Sequence, residues 1–380
     1  MARPRILCIS FSDLRADARV LRQIGVLQEF GDVTTVSYGS APNGVRHHLE
    51  IDRALPSLPQ TVGGVLKLGL RAYRSVDLDA PAVRRARELI GTETYDLVVA
   101  NEARALPLAA AVAGDAPVLG DMHEWAPEER SHVLSWRLLV SPYMRSVCRR
   151  YLPRIAAVTT VNQSIADLYA REFGVVAEVV RNASEYRDLS PTALDGERIR
   201  LVHSGGAVPG RSIETMIDAV AESDERFTLD LYLVGAYGSD AYLEQLRARA
   251  ERTDRVTIHP PVTPDQLPST LNGFDVGVFI LPPRTTNHRL MLPNKLFDFV
   301  QARLGLIFSP AVETDALIAR YGLGITTDGF GLEDLRRALA ALTTEQVVAF
   351  KAASDRAAHE LSSARDLEVL RKTVERLLVG

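Results

Sequence analysis

Arg5–Phe11 reads RILCISF, a helical pattern runs from Asp17 to Phe30, Gly31 stops it, and Val33–Tyr38 forms a second β-rich run. An apolar run, an amphipathic helix and another apolar run make a βαβ unit. Such a unit calls for a parallel sheet covered by helices. Working outward, further buried strands are expected at Tyr95–Asn101, Pro117–His123 and Ala157–Val161, each followed by a helical stretch, the last being Gln163–Phe173. The first half therefore reads as Rossmann-like.

Glu178–Asn182 reads as a strand, and the polar segment Ala183–Arg198, with Pro191 and Gly196, reads as a linker. The alternation then restarts with Ile199–Ser204, a helix marked by Ile213, Met216, Ile217 and Val220, and the alternating strand Thr228–Val234. It continues through Val256–His259, Val276–Leu281, Gly305–Phe308 and Gly324–Thr326, and Glu345–Leu378 reads as two helices. The expected fold class is α/β, two Rossmann-like doubly wound domains facing across a cleft. Their expected bounds are residues 1–182, a linker at 183–198, and a second domain from 199 to 360.

Composition agrees with two cores rather than one, since 380 residues exceed an ordinary domain. A net charge of −4 makes nucleic acid a poor partner. Cys8 and Cys148 are far apart and show neither metal-ligand nor disulfide spacing, so a reducing cytoplasm is expected. The run Ile6–Ser10 is too short for a secretion signal, and no apolar run approaches the ~20 residues of a bilayer span. Membrane contact is then expected to be peripheral. Ser135–Arg154 mixes apolar residues with Arg137, Arg145, Arg149, Arg150 and Arg154. It reads either as a face for an anionic membrane bearing a lipid-linked sugar or as a core-packing helix with a basic outer side.

Open α/β sheets bind ligands beyond the carboxyl ends of their strands. In the second half, His203–Arg211 reads as a strand-to-helix turn whose Gly205 and Gly206 let a ligand approach, with Arg211 as the adjoining cation. It reads as a diphosphate seat or simply as a tight loop. At Leu292–Asp298, Pro293 and Asn294 open an amphipathic helix with Lys295 in its first turn, where a cation opposes the helix dipole unless an anion joins it. Asp298 could accept from ribose hydroxyls; the plain alternative is a surface lysine and a helix-start aspartate. In the first half, Pro117–Asp121 leads into His123 and Glu124 at a strand's carboxyl end, candidates for the reacting centre or for a structural role. Asp77-Leu78-Asp79 is a D-x-D string that reads as a solvated face rather than a metal site.

These residues, taken together, resemble the GT-B glycosyltransferases of family 4 over nearly the whole chain. Asp13–Gly31 resembles the family's first loop and helix, Tyr95–Asn101 a later strand, and Asp121-Met122-His123-Glu124 its Asp-x-His-Glu signature. Val179–Asn182 resembles the entry to the crossover, while Leu231–Gly238, Val256–Val262 and Asn272–Phe279 resemble donor-domain strands. Pro293–Phe299 resembles the Pro-Asn-Lys-x-x-Glu-Tyr block of bacterial polysaccharide transferases. The resemblance implies a UDP- or GDP-type sugar donor in the C-terminal domain, an acceptor in the N-terminal domain, retention at the anomeric carbon, and a final helix, residues 361–380, returning to the first domain. It implies that His123 touches the donor sugar or phosphate, that Arg211 and Lys295 serve the diphosphate beside Gly205, that Asp298 holds the ribose, and that Pro261 and Val262 meet the base. Two departures stand out: Gly206 replaces the family's arginine, and Leu290 and Asp298 occupy the positions of its paired glutamates. Arg284, His288 or Arg289 would have to compensate.

The expected function is a metal-independent hexosyltransferase without a cofactor, acting in cell-surface polysaccharide or glycoconjugate synthesis on a saccharide, lipid-linked or small-molecule acceptor. A nucleotide-sugar epimerase or hydrolase, and a non-catalytic sugar-nucleotide-binding partner, are the alternatives. An oxidoreductase is disfavoured, because Gly322-Leu323-Gly324 lacks the third glycine of a dinucleotide loop.

Overall fold

A computed structural model describes residues 3–235 and 240–379, so residues 236–238 of the stretch Leu231–Gly238 lie outside the described residues. The chain divides into two compact units. The N-terminal unit comprises Met1–Arg181, Thr285–Asn287 and Asp366–Gly380, and the C-terminal unit comprises Asn182–Arg284 and His288–Arg365.

In the N-terminal unit, β1 (Arg5–Asp13), β2 (Asp32–Tyr38), β3 (His47–Ile51), β4 (Leu97–Asn101), β5 (Val118–Met122), β6 (Ala157–Thr160) and β7 (Ala177–Val179) form one parallel sheet ordered β3-β2-β1-β4-β5-β6-β7. In the C-terminal unit, β8 (Ile199–Ala207), β9 (Phe227–Gly235), β10 (Val256–His259), β11 (Val276–Phe279), β12 (Gly305–Phe308) and β13 (Gly324–Thr326) form a second, ordered β10-β9-β8-β11-β12-β13. Each sheet reverses direction once, between β1 and β4 and between β8 and β11, which is the doubly wound order of a Rossmann-like domain. The α/β expectation is met in both halves.

Local chemistry explains the βαβ opening. Asp17 caps the helix Ala18–Phe30 by accepting from the Val20 N–H, and Val20, Ile24 and Leu27 face the sheet. At its end a Cβ on Gly31 would stand 2.3 Å from the Pro4 carbonyl oxygen, so only glycine lets the chain turn directly into β2. The final helix, Ser363–Val379, adds Leu370 and Val374 to the apolar cluster of Ile6, Ile24, Leu27 and Leu97. Arg181 binds Asp366 at 2.9 Å where that helix begins.

Three expectations need correction. Strand β7 ends at Val179, so Val180–Asn182 leave the sheet earlier than the apolar pattern of Glu178–Asn182 suggested. The glycines at 205 and 206 lie inside β8, which continues to Ala207, paired with Leu233 and Val234 of β9. The turn is confined to the residues after Ala207, because cross-strand pairing overrode the local glycine signal. Asp77 is buried, held by both Arg150 nitrogens and by the Tyr151 hydroxyl at 2.9 Å, so it anchors a helix rather than facing solvent.

Candidate functional site

Strand β8 outruns its neighbour. It pairs with β11 only at Leu201 and Val202 but with β9 as far as Ala207, so its β11 side is open at Gly205 and Gly206. Gly205 has φ +152°. A Cβ there would stand 3.4 Å from Lys295 Cε and 3.8 Å from His203 Nε2, and one on Gly206 would stand 3.9 Å from an Arg211 guanidinium nitrogen. The open strand edge, Arg211 and Lys295 therefore converge within the C-terminal unit. Arg284 joins them: its guanidinium lies against Gly210, whose φ is +85°, within 2.6 Å of where a side chain would begin. Together these groups offer backbone amides and three cations, which suits an anionic oxygen cluster.

Two buried groups that the sequence did not single out belong to the same strand. The His203 Nδ1–H donates to the Val278 carbonyl at 2.9 Å, leaving Nε2 bare toward Gly205. Burial, and then the neighbouring Lys295 and Arg211 charges, hold its pKa down to about 4 against the pull of the Val278 hydrogen bond. The ring is thus neutral at physiological pH. The Ser204 hydroxyl, 2% exposed, has no hydrogen-bond partner among the described residues. A buried hydroxyl without a partner is a costly arrangement that a bound ligand would relieve.

Lys295 sits in the first turn of the helix Asn294–Gln301, which Pro293 precedes without a side-chain cap. It donates to Asp298 at 3.3 Å, and the Ser184 hydroxyl donates to the other Asp298 oxygen at 2.5 Å. Asp298 is therefore already engaged within its own unit. Asn294 is exposed at the helix start, and Pro261 and Val262 follow β10, two strands removed from β8.

In the N-terminal unit, His123 directly follows β5, beside the end of β4. Its Nε2 lies 3.2 Å from Asn101 Oδ1 and 3.3 Å from Asp121 Oδ2, and its Nδ1 lies 3.8 Å from Glu102 Oε1. Asp121 is saturated: Arg19 binds both its oxygens at 2.9 and 2.6 Å, Gln23 donates at 3.1 Å and Thr159 at 2.7 Å. Burial alone would raise its pKa, but the Arg19 guanidinium and then His123 outweigh it and hold the carboxyl far below the usual range. The imidazole is thus oriented by a rigid, charged network that reaches back to the first helix.

Glu124 faces a cavity of about 10 Å³, room for one water, lined also by Glu102, Arg104, His123, Glu129 and Trp136. Burial, and then repulsion from Glu129 and Glu102, push its pKa up to about 8, with Arg104 a partial offset. Glu102 has φ +65°, a strained geometry for a residue with a side chain, and its carboxylate pairs with Arg104. The loop after His123 is braced by Asn287, whose side chain accepts from the Trp125 N–H at 2.8 Å and donates to the Trp125 carbonyl at 3.2 Å. Periodicity alone did not point to Asn287, since its partner is 162 residues away. Among the described residues, no group of three or more His, Cys, Asp or Glu side chains could hold a metal ion, and no helix is long and apolar enough to cross a membrane.

The fold defines the class: two doubly wound α/β units of the kind found in GT-B glycosyltransferases. Residues 32–183 match the family described as Glycosyltransferase Family 4, in agreement with the resemblance read from the motifs. No curated protein matches the sequence. Among solved structures, HepE of Anabaena in complex with UDP superposes with a TM-score of 0.69 at 14% identity, covering 98% of this chain and 100% of that one. The N-terminal domain of Candida albicans trehalose-6-phosphate phosphatase gives 0.68 at 10%, covering 99% and 96%. The α,α-trehalose 6-phosphate synthase of Burkholderia multivorans gives 0.66 at 13%, covering 100% and 98%. Identities this low establish a shared fold, and roles must be argued from the residues.

Proposed function

We propose that the protein is a glycosyltransferase that moves a hexose from a nucleoside-diphosphate-sugar, of the UDP or GDP type, onto an acceptor hydroxyl with retention at the anomeric carbon. The observation that carries this is the open edge of β8 at Gly205 and Gly206 with Arg211, Arg284 and Lys295 gathered around it. Amides and fixed cations at one place are what a departing diphosphate requires. The match of residues 32–183 to a glycosyltransferase family supports the reading, as do structures of HepE with UDP, with UDP-glucose and with UDP and glucose.

In the reaction the bond between the anomeric carbon and the β-phosphate oxygen breaks, its electron pair leaving on the nucleoside diphosphate. A bond forms between that carbon and the acceptor oxygen, whose proton passes to the departing diphosphate. Arg211, Arg284 and Lys295 neutralise the leaving group, so positioning and electrostatics supply most of the rate. Asn294 offers its amide at the helix start. Asp298 exchanges its Ser184 partner for the ribose, and the backbone of Pro261 and Val262 meets the base. His123 holds a sugar hydroxyl or phosphate oxygen. Glu124, protonated at neutral pH, acts beside it as a hydrogen-bond donor and not as a base. The reaction belongs in cell-surface polysaccharide or glycoconjugate synthesis, in the cytoplasm or peripherally at the inner face of the membrane.

A thermal-shift panel of UDP-, GDP-, ADP- and dTDP-sugars tests this, since a ligand that binds only the folded chain raises its stability. One of these donors is expected to stabilise the protein, and Arg211→Ala and Lys295→Ala are expected to remove the shift. If none stabilises it, the reading fails. Product analysis with and without acceptor then separates transfer from hydrolysis or epimerisation.

A further inference from the structure

A side chain on Gly205 would begin at a point with two close neighbours. Lys295 Cε stands 3.4 Å from it and His203 Nε2 3.8 Å, and apart from the residues adjoining Gly205 in the chain no other described atom comes within 4 Å. An oxygen seated there meets a lysine on one side and an imidazole nitrogen on the other. The imidazole has one direction left in which to bond: the ring is 3% exposed, its Nδ1–H is taken by the Val278 carbonyl at 2.9 Å, and Phe279 stacks along it with centroids 6.1 Å apart. Packing and that hydrogen bond hold the ring in place, so Nε2 stays turned toward Gly205.

The charges that act on this ring are positive. Burial, and then Lys295 and Arg211, oppose a proton on it, while its partners across the sheet, Leu231 and Val278, carry no charge. Arg284 adds a third cation against Gly210, and Asp298 is engaged by Lys295 and by the Ser184 hydroxyl. Without an anion, a fourth positive charge here would be buried among three like charges. A diphosphate removes that obstacle, because its charge offsets the cations and one of its oxygens gives an Nε2–H an acceptor.

We infer that His203 is a proton-linked anion ligand: as a diphosphate oxygen seats beside Gly205, Nε2 takes one proton from solvent and donates it in a hydrogen bond to that oxygen. This rests on the reading of the Gly205 edge as a diphosphate seat. The Nε2 lone pair becomes an N–H bond, the buffer gives up the proton, and no other bond changes. Protonation and anion binding then favour one another by the same factor. The effect begins above about pH 4, where the ring is neutral without an anion, and ends where the anion-bound ring releases its proton. Between those limits affinity falls by up to about ten-fold for each unit of rising pH.

UDP-glucose and GDP-mannose are the probes, because a diphosphate esterified at both ends keeps its charge constant near neutrality, whereas the terminal phosphate of UDP titrates there itself. Calorimetric titration of the full chain, in pairs of buffers that differ in ionisation enthalpy, counts the protons taken up. Binding of either probe should take up a fraction of a proton at pH 6 and less at pH 8, and should be at least about three-fold tighter at the lower pH. His203→Asn keeps an amide N–H for the Val278 carbonyl and loses the titrating nitrogen, so it should bind without proton uptake and equally at both pH values. If that variant does not fold, nitrogen chemical shifts of the histidine-labelled unmutated chain should show one ring gaining a proton on binding. Binding without uptake in the unmutated chain overturns the inference and leaves the diphosphate seat standing. Uptake that persists in His203→Asn assigns the proton to another group and overturns it equally. Failure of both probes to bind at either pH overturns the seat itself, and the inference with it.

Discussion

Arg19 and Asp121, 102 residues apart, form a buried two-pronged pair at 2.9 and 2.6 Å, and the carboxylate of that pair also contacts the His123 imidazole. The first helix thereby fixes the orientation of a group at the end of β5. Removing one member of a buried ion pair strands the other, at a cost of about 3–5 kcal/mol. Arg19→Met should lower stability to urea by about that amount, and Asp121→Asn by an amount of the same order. Equilibrium unfolding monitored by circular dichroism measures both. A loss below about 1 kcal/mol would show that the network is not needed for folding.

Gly205 tests the donor seat. An alanine there must adopt φ near +152° and place its methyl 3.4 Å from Lys295 Cε. The backbone strain costs about 1–3 kcal/mol, so Gly205→Ala should melt earlier and lose UDP affinity. Calorimetric titration with UDP should show at least ten-fold weaker binding; affinity equal to that of the unmutated chain would remove the β8 edge from the proposed site.

Lys295→Ala should weaken the donor by about ten- to hundred-fold, the worth of about 1.5–3 kcal/mol for a hydrogen bond to a charged group. It also releases Asp298 from a 3.3 Å contact, so the change in affinity should be accompanied by little change in melting temperature. A variant that binds UDP as before would place the diphosphate elsewhere.

Glu124 makes stability depend on pH in a stated direction. Its folded pKa of about 8 lies above the usual carboxyl range, so the folded state holds more protons than the unfolded state in between. The contribution of Glu124 to stability must then fall as the pH rises from about 4.5 to about 8 and level off above it, while His203, held down to about 4, acts in the opposite sense up to about pH 6.5, so the comparison with a variant isolates the carboxyl. Glu129, also raised by burial, acts in the same sense. Asp121 does not interfere, because its depressed pKa confines its effect to stronger acid. Urea titrations at pH 5, 7 and 9 should show the unmutated protein losing more stability than Glu124→Gln. Parallel slopes would mean the carboxyl is not buried beside Glu102 and Glu129.

His123→Ala should reduce transfer by about a hundred-fold or more, as loss of a positioned polar group in the reacting centre commonly does, with UDP affinity unaltered if it holds the sugar hydroxyl and weakened if it holds a phosphate oxygen. Steady-state rates and UDP titration separate the two effects.

Several elements were fully legible from local pattern. The helix Gln163–Phe173 and the strands Val256–His259, Gly305–Phe308 and Gly324–Thr326 lie where periodicity and glycine punctuation put them. The edge strand β3 and the helix Val62–Gly69 were not, since they are short, weakly patterned and held by packing on the rest of their unit, and Pro81–Ile90 was passed over although Ala82, Val83, Ala86 and Ile90 form a regular buried face. The loop glycines misled for the same reason: their neighbours in sequence favour a turn, while their neighbours across the sheet, Leu233 and Val234, draw them into β8.

The sequence by itself determined a chain of alternating strands and helices in two doubly wound series, together with the residue types for anion chemistry at Arg211 and Lys295. Periodicity is a local property, and it survives in one dimension. Only the tertiary structure decided that β8 overshoots β11, that Arg284 reaches Gly210, that Asp121 is gripped by Arg19, and that Asn287 braces Trp125. Each of those depends on register or packing between segments far apart in the chain, and no local pattern encodes such a distance.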